Sequence, residues 1–143
     1  YIEEVVVMTL VPFPLPIPSL DNKYWFNKCK EHILVLQRCR ECKAFSHPPR
    51  PNCTNCGSSD LNWVESKGKG RIFTFTITRQ PVSRALIGRI PWVVVEVELE
   101  EGVHMVSNLI DTDCDVIQIG MPVEVVFEQV DDEITLPKFK VIG

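Results

Sequence analysis

Four of the six cysteines fall in one stretch, CRECKAFSHPPRPNCTNC at 39–56, as two identical C-x-x-C pairs with ten residues between them. Disulfides, thiol redox chemistry and a metal are the three uses such thiols can have, and the rest of the chain separates them. At 143 residues the chain can bury a conventional core, so it does not need the staples of very small secreted domains. The apolar N-terminal run VVVMTLVPFPLPIP lacks a basic lead-in and is broken by Pro12, Pro14, Pro16 and Pro18, so it does not read as a signal peptide. A reducing cytoplasm is therefore expected. There, paired C-x-x-C turns read as two knuckles whose thiolates close a tetrahedral Zn²⁺ shell, and two matched pairs are not the pattern of a single redox dithiol.

Four thiolates leave no open coordination position, so Cys39, Cys42, Cys53 and Cys56 predict a structural zinc. Loss of a knuckle is expected to unfold the ribbon around it, with the remaining domain able to persist. His47 lies between the knuckles, ahead of Pro48 and Pro49, and is assigned to surface or packing. Cys29 and Cys114 have no partner at knuckle spacing and read as small buried residues. No Ser/His/Asp arrangement or glycine-rich phosphate loop is present. His32, His47 and His104 lie on separate segments, and no catalytic residue is assigned to this chain.

Three parts follow along the chain. Residues 1–33 combine a Pro-rich arm with a short helix; Met8 offers a start, with Tyr1 to Val7 as either a cloning remnant or the tail of an upstream domain. The helix is expected from a Ser19 or Asp21 cap to about His32, and because Trp25 and Phe26 are adjacent on it, at least one is left for a partner surface. Residues 34–65 make a rubredoxin-like zinc ribbon, entered by the strand HILVLQRC. From 66 to 143 the pattern switches to period two. RIFTFTIT puts Phe73, Phe75 and Ile77 on one face, and WVVVEVEL puts Val93, Val95, Val97 and Leu99 opposite Glu96 and Glu98. VHMVSNLI, MPVEVVFEQV and ITLPKFKVI supply three more strands, which makes a mainly β chain ending in a five-stranded OB-fold barrel. No uninterrupted apolar stretch reaches membrane-spanning length.

A net charge of −4 hides an asymmetry. Ser66 to Val95 carries Lys67, Lys69, Arg71, Arg79, Arg84 and Arg89 without one acid, while from Glu96 onward twelve acids face only Lys138 and Lys140. An anion therefore has a local home on an acidic chain.

The YWF helix, LVLQRCREC, HPPRPNCTNCGS, GKGRIFTFTITRQPV, PWVVVEVEL, SNLI, IGMPVEVVFE and TLPKFK together resemble the zinc-ribbon plus OB-fold proteins associated with acyl-CoA metabolism, the family of domain of unknown function 35. The resemblance runs from about Leu20 to the end. It implies a non-catalytic companion of thiolase-fold enzymes in a hetero-oligomer. Such enzymes include thiolases and the lipid-transfer-protein-like aldolases that act on steroid side-chain CoA thioesters, and an enoyl-CoA hydratase domain is a further associate. It also implies an acyl-CoA ligand, for whose phosphates Arg50, Arg71, Arg79, Arg84, Arg89 and Lys138 are the candidates, with Trp92 and Asn108 beside an adenine or pantetheine channel. Trp25 and Phe26 are then the candidate anchors for the partner enzyme. QPVSRALIGRIP reads as a lid or partner contact. The rival class is single-stranded nucleic-acid binding. It is disfavoured by an aromatic content of 8%, by Phe73 and Phe75 on the apolar strand face, and by the glutamates of the 92–99 strand.

Overall fold

The structure, a computed structural model, describes residues 13–143; the expectations for Tyr1 to Val7, Met8 and the first part of the Pro-rich arm lie outside them. Helix α1 spans Lys23–Lys30, shorter than the cap residues suggest. Asn22 at its N-cap turns its side chain back to accept from the Ser19 backbone N–H at 2.6 Å instead of capping the helix, and His32, at φ 61°, ends the segment in the left-handed region.

Two antiparallel sheets follow. In the first, β1 (Val35–Cys39) lies between β2 (Phe45–Ser46) and β3 (Leu61–Glu65). The second contains β4 (Lys69–Thr78), β5 (Trp92–Leu99), β6 (His104–Asn108), β7 (Pro122–Gln129) and β8 (Thr135–Val141) in the order β6-β5-β4-β7-β8. A single parallel bridge, Leu109 to Phe139, brings β6 back against β8, so the five strands form a nearly closed barrel with a narrow seam. The mainly β ribbon-plus-barrel architecture is the one the sequence predicts. Strands β2 and β3 are the elements that periodicity did not reveal, β2 because it is two residues long and β3 because its face alternation is weak, with every residue except Glu65 half-buried.

Alternation in β5 turns Val93, Val95, Val97 and Leu99 inward as predicted. Strand β4 departs from its pattern. Its register against β5 slips between Ile72 and Thr74, so Phe73 sits in a bulge and the inward sequence becomes Ile72, Phe75, Ile77. Ile72 is buried, whereas Phe73 is 51% exposed, against the expectation that it lies on the buried face. The extra bulge residue shifts the period-two phase ahead of it by one. Gly70 is required where β4 passes closest to β5: a Cβ there would clash with the Glu98 carbonyl and lie 2.9 Å from the Leu99 Cα.

The two sheets share one core. Leu34, Val35 and Leu36 of the ribbon, Trp25 and Cys29 of α1, and Ile72, Val95, Val123 and Phe139 of the barrel belong to the same buried cluster. The Ser66 backbone N–H donates to the Leu34 carbonyl at 2.8 Å across the junction.

Candidate metal centre and ligand cleft

Two tight turns, one after β1 and one after the HPPRP segment, aim four thiols at one point. The Sγ atoms of Cys39, Cys42, Cys53 and Cys56 all lie within 4.8 Å of one another, with Cys39 to Cys56 at 3.5 Å and Cys42 to Cys53 at 3.6 Å. Thiolates held about 2.3 Å from a tetrahedral Zn²⁺ have roughly this separation. Backbone amides complete the knuckles: Cys42 N–H points at Cys39 Sγ (3.4 Å), and Asn55 and Cys56 N–H point at Cys53 Sγ (3.3 and 3.5 Å). A hydrogen bond from the Asn55 side chain pulls the Cys42 thiol down to about 6, and the backbone N–H groups of Cys56 and Asn55 lower Cys53. The Ser58 backbone favours the thiolate of Cys56, but hydrogen bonding with the facing sulfurs pushes that thiol up to about 12. Four sulfurs facing one another, each with an N–H donor, fit a closed structural zinc shell. His47 lies outside it, with its ring 5.7 Å from that of Trp25. Cys29 is fully buried and its thiol is pushed up to about 12 by that burial; Cys114 is half-buried.

A cleft of about 1030 Å³ runs along the seam between β6 and β8. Helix α1 walls one side through Trp25 and Phe26, and the end of the Pro-rich arm walls another through Phe13 to Pro16. Phe13 stacks on Trp92 with ring centroids 5.0 Å apart. Lys138, next to the core residue Phe139 in β8, is itself buried. Its Nζ donates to Asn108 Oδ1 at 2.6 Å and lies 5.6 Å above the Trp92 ring. Asn108 Nδ2 donates to the Val93 carbonyl at 2.9 Å, which fixes the amide so that its oxygen faces the lysine. Burial lowers the Lys138 pKa, with Glu128 working in the opposite direction. An ammonium has three N–H donors; one is committed to Asn108 and one faces the Trp92 π cloud, so the third is available to a ligand anion. Arg89 also lines the cleft, with Nη1 donating to the Ala85 carbonyl at 2.6 Å and its guanidinium 5.6 Å from the Phe13 ring.

Among the candidate ligand residues, then, Arg89, Trp92, Asn108 and Lys138 converge and the others do not. Arg50 is exposed on the ribbon. Arg71 donates from Nη1 to the Gly120 carbonyl at 2.9 Å, in a separate, smaller cleft that also contains Glu98 and Glu100. Arg79 sits 4.0 Å from Asp115, and Arg84 lies exposed in a 3-10 turn. The acid-free stretch is therefore not one basic surface. Strand β4 runs ten residues and separates Arg71 from Arg79; strand pairing sets Glu98 beside Arg71, and the 3-10 turn Cys114–Val116 brings Asp115 to Arg79.

The two expected partner anchors differ in burial. Trp25 is 7% exposed and belongs to the chain's own core. Phe26 meets it edge-on at 4.9 Å and is half-buried at the cleft wall, while the exposed aromatic of the helix, Tyr24, rests 5.0 Å from Trp63 in β3. Phe13, Ser107 and Leu136 line the cleft without having been anticipated. Only for Phe13 did the sequence carry a signal, an aromatic in a proline arm whose extended backbone suits docking against another ring. Outside the cleft, His104 is held between Glu96 (3.0 Å) and Glu98 (3.1 Å) and under Phe73 (4.5 Å), a structural clamp on the barrel's outer face. The exposed Phe73 therefore stands among glutamates, which is a poor surface for a phosphate backbone. Among the described residues, no helix is long and apolar enough to cross a membrane.

Two family models match the chain one after the other. The family described as ChsH2, rubredoxin-like zinc ribbon domain, matches residues 26–62, and that described as ChsH2, C-terminal OB-fold domain, matches 63–128. A probable enoyl-CoA hydratase alpha subunit of Thermomonospora curvata is 42% identical over 127 residues, covering 89% of this chain but 39% of its own length. This chain therefore spans about two fifths of that relative. A DUF35 domain-containing scaffold protein of Methanothermobacter thermautotrophicus is 34% identical, with 76% of this chain and 82% of that protein covered. In a solved structure of an Ltp2-ChsH2(DUF35) aldolase, one chain superposes with a TM-score of 0.81 at 41% identity, covering 89% of this chain and 98% of that one.

Proposed function

Because the chain belongs to the DUF35 family of zinc-ribbon plus OB-fold proteins, we propose that it is a zinc-bound, non-catalytic companion of a thiolase-fold enzyme, acting with it on CoA thioesters. The convergence of Lys138, Arg89, Trp92 and Asn108 on one cleft carries the ligand half of this reading. A CoA thioester combines a nucleotide, phosphates and a long neutral arm. The cleft answers with aromatic faces, a buried ammonium held in place by Asn108, and an apolar wall from α1. The match to one chain of an Ltp2-ChsH2(DUF35) aldolase supports an aldolase or thiolase-like partner, and the hydratase name of the Thermomonospora relative supports a CoA-ester setting.

In this reading Cys39, Cys42, Cys53 and Cys56 hold zinc, which supplies folding energy and no reaction step. The ligand sites are Arg89, Trp92, Asn108 and Lys138. Arg50, Arg71, Arg79 and Arg84 are left to solvent or to the partner. Phe26 at the cleft wall is the aromatic that reaches an enzyme seated over the opening, whereas Trp25 acts from within.

The partner half is tested by reconstitution with a candidate thiolase-fold subunit. The complex should form a defined hetero-oligomer whose turnover of a CoA thioester is lost when this chain is withheld. Phe26→Ala should weaken association by about 2 kcal/mol if that ring is an interface anchor. An isolated enzyme subunit that is soluble and fully active without this chain would overturn the reading.

A further inference from the structure

The same cleft is lined by a second group of polar atoms, carried by α1 and the loop between the knuckles, that the phosphate-binding argument leaves unused. Trp25 Nε1 is buried and finds no acceptor among the described residues. An indole N–H can only donate, and leaving it dry and unpaired is unfavourable, so a state of the molecule that supplies an acceptor is preferred. Beside it, the His47 ring makes a ring contact with Trp25 and no hydrogen bond among the described residues. Burial holds the His47 pKa down to about 4, so near neutral pH the imidazole is uncharged, with one N–H donor and one free lone pair. Both side chains line the cleft, one from α1 and the other from the loop between the knuckles, so this end of the cleft exists only because ribbon and barrel are joined.

We propose that Trp25 and His47 bind the secondary amides of the pantetheine arm of a CoA thioester. An amide carbonyl accepts from Trp25 Nε1, and an amide N–H donates to the unprotonated nitrogen of His47. The inference rests on the acyl-CoA reading and adds to it which part of the ligand lies at which end: amides at the ribbon junction, anionic groups toward Lys138. A secondary amide is neutral and carries an acceptor and a donor side by side, which an indole N–H and a neutral imidazole can satisfy together. A thioester carbonyl offers the acceptor without the donor, and a phosphate or carboxylate gains no charge pairing from an indole N–H and a neutral imidazole. The indole nitrogen is screened from solvent, so the amide reaches it only as the side chains around it shift.

The test uses the zinc-loaded full chain, labelled with ¹⁵N, and three probes: CoA, pantetheine, and 3′-phosphoadenosine 5′-diphosphate, which lacks the amide arm. CoA and pantetheine should move the Trp25 indole N–H resonance downfield, and the nucleotide fragment should leave it in place. Trp25→Phe and His47→Phe, which keep a ring but remove the nitrogens, should each raise the Kd for CoA about tenfold, the loss of one net hydrogen bond, and leave the Kd for the nucleotide fragment unchanged. The indole resonance of the unaltered chain decides the matter should either variant fail to fold. If CoA perturbs Lys138 and Trp92 while the Trp25 resonance stays put and both variants bind normally, the amide assignment is wrong and the acyl-CoA reading stands. If millimolar CoA perturbs no residue of the cleft, the acyl-CoA reading fails and this inference fails with it.

Discussion

Removing the metal should unfold the barrel as well as the ribbon. The sequence alone suggested that the barrel would survive loss of a knuckle, but the shared core argues otherwise. Leu34, Val35 and Leu36 are 3%, 4% and 1% exposed, and all three belong to the cluster that contains Ile72, Val123 and Phe139. Fully burying such a side chain is worth about 1.5–3 kcal/mol, so the three together contribute roughly 5–9 kcal/mol. That sum is an upper figure, because unfolded chains already bury part of their apolar surface. It is nonetheless comparable to the entire stability of an ordinary domain, about 5–15 kcal/mol, before Trp25 and Cys29 of α1 are counted. Chelating the zinc, or replacing Cys42 by Ala, should therefore expose Val95 and Val97 amides of β5 to hydrogen exchange together with Leu36 of β1. If β5 amides stay protected in the metal-free chain while β1 exchanges, the ribbon and barrel are independent and the shared-core reasoning is refuted.

Three further outcomes are expected. Gly70→Ala should lower stability by about 3 kcal/mol or more, because the added methyl meets Glu98 and Leu99 backbone that cannot move aside; thermal unfolding measures it. Phe73→Thr should change stability by no more than about 0.5 kcal/mol despite removing a phenyl ring, since the bulge already leaves that ring half in solvent; equal loss in denaturant unfolding to that of a core Phe would contradict the bulge assignment. His104 titrates above its usual value because Glu96 and then Glu98 hydrogen-bond its ring, so the stabilisation is fully present below pH 6.5 and disappears as pH rises through the raised folded-state value. Glu96→Gln should bring the His104 titration, followed by NMR, back toward 6.5, and an unchanged midpoint would rule out the clamp.

The zinc centre was legible because its information is local: a knuckle needs two thiols at one spacing, and both pairs show it. The barrel was legible in β5, where four buried aliphatic residues alternate with less buried ones that end in Glu96 and Glu98. In β4 the same rule placed Phe73 on the wrong face, since a bulge is set by how the strand pairs with β5 and leaves no mark on hydrophobic periodicity. The ligand cleft was legible only in part. Arg89, Trp92, Asn108 and Lys138 were among the candidates, but nothing in their spacing separates them from Arg71 or Arg79, because their convergence depends on β6 closing against β8 through the Leu109 to Phe139 bridge. Charge counted along the chain predicted a basic surface that the fold does not build. Helical spacing likewise shows that two adjacent aromatics diverge, but which of them faces the core depends on where the ribbon packs, and here it is Trp25.

Isothermal titration of acetyl-CoA into the zinc-loaded chain, alone and with its partner enzyme, tests the central claim most directly when Lys138→Met and Arg71→Ala are compared. The cleft assignment predicts that Lys138→Met weakens binding by about tenfold or more, as loss of a charge-assisted contact of about 1.5–3 kcal/mol should, while Arg71→Ala, which lies in a different cleft, leaves it unchanged. Binding that is lost in Arg71→Ala and intact in Lys138→Met, or no binding to either form, would contradict it.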